Sequence, residues 1–271
     1  MRDPAELWKL RVRSLKRART AARRGEPEGL HDLRVALRRV EATSKALGKK
    51  SRAREARAIV LSLSDPRQLQ VDRQLLARVA QLGYLSPDTA TALAARWEKL
   101  AERSGRRIAR VASGGRLRSL KSRLRRLSRR SQEDAVARLE RARRRAEELL
   151  AQPLAGRDDQ ELHRYRIAVK NARYIAEDLA VLGLRRFAGQ IEREKELQDA
   201  LGRWNDLRLF RRRLEQSRDE AEERGSVTLA VELERLLAVL EPTIASARSA
   251  AVDASRETAV VVPLGRRRRA S

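Results

Sequence analysis

The feature that most limits what this chain can fold into is that it repeats itself. Leu30-His31-Asp32-Leu33-Arg34-Val35-Ala36-Leu37-Arg38 aligns with Leu162-His163-Arg164-Tyr165-Arg166-Ile167-Ala168-Val169-Lys170, and the separation, 163 − 31 = 132, is about half of the 271 residues. A weaker echo sets Leu61-Ser62-Leu63-Ser64-Asp65 against Leu201-Gly202-Arg203-Trp204-Asn205-Asp206, at an offset of 206 − 65 = 141. The segment 4–23 has a counterpart near 132–151. A duplicated architecture is the simplest reading, with a first repeat over 1–130 and a second over 131–257. The seam falls near 128–132, and a basic tail over 258–271 is expected to be disordered.

The repeats read as helical. Long runs of Ala, Leu, Arg and Glu carry apolar residues three and four apart, interrupted by glycine and proline. Helices are expected at about 4–23, 27–47, 51–64, 66–82, 87–112, 116–151, 159–182, 184–203, 206–224 and 227–255. Asp158 with Glu161 has the pattern of a capping box, Pro27 that of a first-turn proline, and Pro242 that of a kink or break. Only Thr258–Val262 looks strand-like. With aromatics at 3% of the chain, the core must be aliphatic, which favours helix-on-helix packing. Trp8, Trp97, Trp204, Phe187 and Phe210 read as packing residues. The fold class expected is all-α: two four-helix-bundle-like repeats about a pseudo-twofold, with a basic central groove.

Charge points to the partner. Lys plus Arg number 63 against 37 Asp plus Glu, so 63 − 37 gives a formal +26. Self-repulsion of that size fits a polyanionic partner or a strongly anionic surface. The absence of cysteine excludes disulfides and thiolate chemistry, and two histidines make a His-rich metal site improbable. Neither a signal-peptide pattern nor an apolar run long enough for a span is present, so a cytoplasmic protein is expected.

At about 100° per residue, His31, Arg34, Arg38 and Lys45 share one stripe beside the apolar positions Leu30, Leu33, Leu37 and Val40. His163, Arg166, Lys170 and Arg173 repeat it beside Leu162, Tyr165, Val169 and Ala172. Cations at one-turn intervals, about 5.4 Å apart, suit successive phosphoryl oxygens, which guanidinium groups bind bidentately. Arg54 and Lys195, eleven residues before Asp65 and Asp206 (65 − 54 and 206 − 195), are a matched pair expected on the same groove, with Arg57 and Arg193 beside them. Arg116, Arg123 and Arg130 form a further stripe along Leu117, Leu120, Leu124 and Leu127. Asp65 and Asp206 read as helix caps or as partners of nearby arginines, and Glu192, Glu194 and Glu196 as surface pairs along one helix.

The doubled H-x-x-R-[VI]-A-[LV]-[RK], with Leu197-Gln198-Asp199-Ala200-Leu201-Gly202-Arg203-Trp204-Asn205-Asp206, resembles the CHAD family, the conserved-histidine α-helical domain, over roughly 4–255. The resemblance implies two four-helix bundles about a pseudo-twofold and a basic channel between them that binds inorganic polyphosphate without hydrolysing it. The family's basic positions map onto His31, Arg34, Arg38, Arg39 and onto His163, Arg166, Lys170, Arg173. Glu41 stands where the family's first copy usually has another Arg, and Asn171 where the second is often basic. Many relatives carry a triphosphate-tunnel domain ahead of this one; the chain is expected to be the stand-alone form.

No cofactor is expected, and no catalysis: neither a convergent acidic cluster for Mg²⁺ nor a P-loop or nucleophile elbow stands out. Three other readings compete. A nucleic-acid binder could rest on charge alone, though the few aromatics offer little stacking, so nucleic acid is expected as a non-specific competitor. A phosphatase or kinase would need an acidic metal site and a nucleophile. Attachment to an anionic granule or membrane surface would use the basic exterior. The expected partner is polyphosphate, with association to polyphosphate or storage granules.

Overall fold

The computed structural model describes residues 3–26, 28–127 and 134–260. They are all-α. Ten α-helices run in the order α1 (Pro4–Arg23), α2 (Gly29–Ala46), α3 (Lys50–Ser62), α4 (Ser64–Gln81), α5 (Pro87–Ser113), α6 (Gly115–Leu127), α7 (Ala135–Leu150), α8 (Asp159–Val181), α9 (Ala188–Glu223) and α10 (Val227–Val260), with a 3-10 turn at Arg185–Phe187.

Local chemistry sets the helix starts. The Asp3 carboxylate accepts from the Ala5 amide at 2.8 Å ahead of Pro4, and Ser86 Oγ accepts from Thr89 ahead of Pro87. The Asp158–Glu161 capping box forms as the sequence predicts, with bonds of 2.7 and 3.1 Å. Gly29 opens α2 because a Cβ there would stand 2.6 Å from the Ala21 and Ala22 backbone; only glycine lets α2 start so close to the end of α1.

Four expectations need correction. The expected helix 116–151 is two helices, because Asp134 stands outside α7 in a non-helical conformation. The segments 184–203 and 206–224 are one helix, α9. Asn205-Asp206 reads as a breaker, but the following Leu207 has an amide to donate. In the first half Ser64-Asp65 is followed by Pro66, which has none, and there the chain does split into α3 and α4. Pro242 does not break α10. It lies on the exposed face, as does Ala238, whose carbonyl it deprives of a donor, so that carbonyl faces solvent. Finally, residues 258–260 are helical rather than strand-like. Pro27, the seam at 128–132 with Arg130, and the tail 261–271 lie outside the described residues.

Two apolar cores form, and neither follows the division of the sequence. The first takes α1, α2, α3 and α6, the end of α5 (Ala112), the start of α7 (Leu139) and the end of α8 (Ala176, Leu179). The second takes α9 and α10, the end of α7 (Leu150) and the start of α8 (Leu162, Val169), but also α4 and the start of α5 (Leu93, Trp97). The five aromatics read as packing residues are buried; Trp97 and Phe210 meet edge to face at 6.0 Å.

Buried ion pairs tie these elements. Arg11 of α1 bonds Asp178 of α8, whose other oxygen accepts from Thr43 at 2.6 Å. Arg143 of α7 bonds Glu194 of α9 and Glu147. Glu194 is 2% exposed, so it is a core ion-pair partner and not the surface residue its acidic neighbours suggest. Asp72 of α4 accepts from Arg213 of α9 at 2.8 Å. Arg11 and Arg143 stand 143 − 11 = 132 apart, the separation of the two histidines.

Candidate functional site

Helices α2 and α8 pack on one another and bring their basic stripes together. Arg34 and Arg38 from α2 meet Arg166 and Lys170 from α8, with Arg67 of α4 and Arg208 of α9 joining at the edges. Crowding of like charge in a partly dry site leaves a clear signature. Desolvation first, then Arg38, Arg67 and Arg166, brings Arg34 down to about 10. Desolvation, then Arg166, Arg38 and Arg34, holds the Lys170 ammonium well below the ordinary lysine value. Arg166 is lowered by desolvation and by Arg38 and Arg208, and its Nε is buried with no partner among the described residues.

Asp206 is the carboxylate that opposes these shifts, acting on Arg34, Arg166 and Lys170. It lies inside α9, so it caps no helix and instead supplies negative charge to the cluster. Asp65 is also not a cap: Leu63 holds that position in α4, and Asp65 pairs at the surface with Arg107 at 3.5 Å. Arg34 has a second task, donating to the Leu63 carbonyl at 2.5 Å, where α3 ends and α4 begins.

The histidines flank the cluster. His31 is lowered by desolvation and by Arg67 and Lys170, against Glu28 and Asp32. His163 is lowered by desolvation and by Arg166, Arg208 and Arg38, while the hydrogen bond with Asn205 (Nδ1 to Oδ1, 3.4 Å) opposes the shift. Both imidazoles are therefore held toward their neutral forms.

A cavity of about 1000 Å³ opens beside the cluster between α2, α3, α7 and α8. Its lining combines aliphatic residues, among them Ala42, Ala46, Ala53, Ala146, Ile167 and Ile175, with the cations Lys45, Lys50, Arg54, Arg57, Arg138, Arg141, Arg145 and Arg164. Glu41 joins the two zones. It lines the cavity; burial raises its pKa while Arg38, Arg57 and Lys45 pull it down.

The fifteen candidates that lie within the described residues thus separate. His31, Arg34, Arg38, His163, Arg166 and Lys170 gather at the junction of α2 and α8, and Lys45, Arg54 and Arg57 line the cavity. Arg39 and Arg173 enclose the Tyr174 ring at 5.6 and 4.9 Å and share Glu177 at 2.9 and 2.6 Å. Arg193 is half-buried on α9, and Lys195 is exposed beside Glu192 at 3.8 Å. Lys195 is not part of the cavity wall, so Arg54 and Lys195 do not share it. Arg116 is exposed on α6, and Arg123 is bonded to Glu55.

Sequence reasoning missed Arg67 and Arg208, although 208 − 67 = 141 is the offset that relates Asp65 to Asp206. Each stands near the histidine of its own half. It also missed Arg138, Arg141 and Arg145, a stripe at three- and four-residue spacing along α7.

Among the described residues no three His, Cys, Asp or Glu side chains are grouped to hold a metal ion, and no helix is long and apolar enough to cross a membrane. The crystal structure of the CHAD domain from the plant Ricinus communis is similar to this chain with a TM-score of 0.69 at 19% identity, covering 91% of this chain and 89% of that one. PptA from Streptomyces chartreusis is similar with a TM-score of 0.67 at 16% identity, covering 93% and 98%. No curated protein sequence matches. A family-wide sequence profile described as CHAD domain matches residues 6–215, and on that match the chain belongs to the CHAD domain family.

Proposed function

We propose that the chain binds inorganic polyphosphate without cleaving it, along a basic groove that runs from the α2–α8 junction into the adjoining cavity. The observation that carries this reading is the meeting of Arg34 and Arg38 with Arg166 and Lys170, four cations from two sequence-related helices, opposed there by Asp206. The buried, unpartnered Nε of Arg166 is a donor left for a ligand oxygen. The two offsets of 132 and 141 residues, and the placement of Arg67 with His31 and Arg208 with His163, support two repeats about a pseudo-twofold. An approximately symmetric row of cations suits a ligand whose own repeat runs both ways.

Binding is electrostatic: guanidinium and ammonium groups neutralise phosphoryl charge and release its counterions, so affinity falls steeply with salt. The reading assigns no catalytic step: the ligand path is lined by cations and by imidazoles held toward neutrality, with the carboxylates of Asp206 and Glu41 engaged by those cations. A protein with this site would gather at cytoplasmic polyphosphate or at storage granules.

The test is competition between long-chain polyphosphate and single-stranded DNA of matched charge at physiological salt. Polyphosphate is expected to win by about a hundredfold, about 2.7 kcal/mol. The variant Arg38→Gln, Arg166→Gln, Lys170→Gln, with Arg34 kept because it holds the α3–α4 corner, should lose tight binding and keep its helicity. Equal affinity for the two polymers, or an unaffected variant, overturns the reading.

A further inference from the structure

Of the 63 basic residues nine are lysine and 63 − 9 = 54 are arginine, so an amine in a basic site of this chain is the exception. The α2–α8 junction holds one. Lys170 stands 170 − 38 = 132 residues after Arg38, in the position that Arg38 occupies in the aligned segment. Arg166, Arg38 and Arg34 all act on it, and Asp206 opposes them. For holding phosphate alone an arginine would serve as well, with a bidentate grip that an ammonium lacks. What the amine adds is a nucleophile. Lys170 is partly exposed, and its Nζ reaches solvent with no hydrogen bond or ion pair among the described residues. Desolvation and the three arginines favour its neutral form, whereas only about one ordinary lysine amine in a thousand is neutral at pH 7.5.

The surroundings select the electrophile. Guanidinium groups hold a phosphoryl anion, so a carbon that is to meet the amine of the same cluster must lie close to that anion. An acyl phosphate meets the condition, because its carbonyl carbon and its phosphorus share one oxygen. An acyl thioester has no anion beside its carbonyl. A phosphorylated aldehyde keeps its phosphate throughout, so cations around it assist binding but not bond breaking. With an acyl phosphate the same cations also neutralise the charge that develops on the departing oxygen.

We propose that Lys170 is a modification site, acylated by small acyl phosphates whose phosphoryl group docks on Arg34, Arg38 and Arg166. The neutral Nζ attacks the carbonyl carbon, the N–C bond forms, and the bond from that carbon to the bridging oxygen breaks. The oxygen leaves with the bonding pair as inorganic phosphate, which takes the proton released by the nitrogen. The amide product is uncharged, so the junction keeps three of its four cations. Weaker polyphosphate binding follows, a consequence that rests on the reading above.

The experiment treats the whole chain with acetyl phosphate at pH 7.5 and follows each lysine by peptide mass spectrometry. Lys45 and Lys50 are internal controls, both exposed and both lining the cavity among arginines. Lys170 is expected to react at least about tenfold faster than either. N-hydroxysuccinimidyl acetate, which brings the same acyl group without a phosphoryl anion, should favour the exposed amines instead. The variant Arg38→Gln, Arg166→Gln should slow Lys170 at least about tenfold toward acetyl phosphate and leave Lys45 and Lys50 within about twofold. Equal rates at the three lysines overturn the proposal. So does a Lys170 lead that is the same with both reagents, a comparison that needs only the parent protein and no folded variant. Long-chain polyphosphate should protect Lys170 at least about tenfold, and the acylated protein should bind that polymer at least about threefold more weakly. Selective acylation without protection supports the modification site and overturns the polyphosphate groove; protection without selectivity does the reverse.

Discussion

At the scale of single residues, the site depends on groups held away from their favoured charge. His31, His163 and Lys170 are all lowered, with desolvation the largest cause and neighbouring cations next. On the proposed polyphosphate reading, a phosphate chain beside them would stabilise their protonated forms, so binding would take up protons. Affinity should then rise as pH falls through the bound-state pKa values and level off below those of the free protein. Each proton taken up contributes up to about tenfold per pH unit. Titration calorimetry in buffers of different ionisation enthalpy should show that uptake, and His31→Gln with His163→Gln should flatten the profile below about pH 6.5. A second prediction concerns Asp178. Its replacement by Ala strands Arg11, which is 4% exposed, without its carboxylate, and should cost about 3–5 kcal/mol in urea unfolding. The double change Arg11→Met, Asp178→Ala should cost clearly less, because no buried charge is left over. The sequence shows that the histidines belong to cationic stripes; it does not show that Arg39 and Arg173 turn toward Tyr174 and Glu177, because that choice is made by an aromatic ring arriving in the packed core.

At the scale of the helix, most of what the sequence announces is correct in type and wrong in continuity. Apolar spacing and caps identify the helices, and the Asp158–Glu161 box places one start to the residue. Continuity turns on single amides. Pro66 opens a corner between α3 and α4, while Leu207 carries α9 straight through 36 residues. Pro242, by contrast, lies in a helix that continues because the freed carbonyl faces water. Pro242→Ala should restore a backbone bond and stabilise the protein by about 1 kcal/mol or more, even after the larger entropy of its unfolded chain. An unchanged or lower melting temperature would count against that account. The cationic wall from α7 escaped notice for a related reason: Arg138, Arg141 and Arg145 form a stripe like many others in an arginine-rich chain, and only the packing of α7 beside α2 and α8 turns it toward a cavity.

At the scale of the whole molecule, the pattern of halves in the sequence and the pattern of cores in the fold do not coincide. Helix α4 belongs to the second core, and α5, α7 and α8 each give residues to both. Fragments cut at 130/131 should therefore fail to fold separately. Each should show weak, non-cooperative melting by circular dichroism, while an equimolar mixture should regain a single cooperative transition. Two independent, sharp transitions would show that each half carries a sufficient core of its own. Repetition in the sequence is legible because it is local; the exchange of helices between cores is not, because it depends on which apolar faces find each other at long range.

That exchange also bears on the order of events during synthesis. The first core lacks its lid until Leu179, Leu182 and Phe187 have been made, 187 − 127 = 60 residues beyond the end of α6. At about 5–20 residues per second, the emerging chain waits about 3–12 s with leucine faces uncovered and its arginines spread out beside the RNA-rich surface of the ribosome.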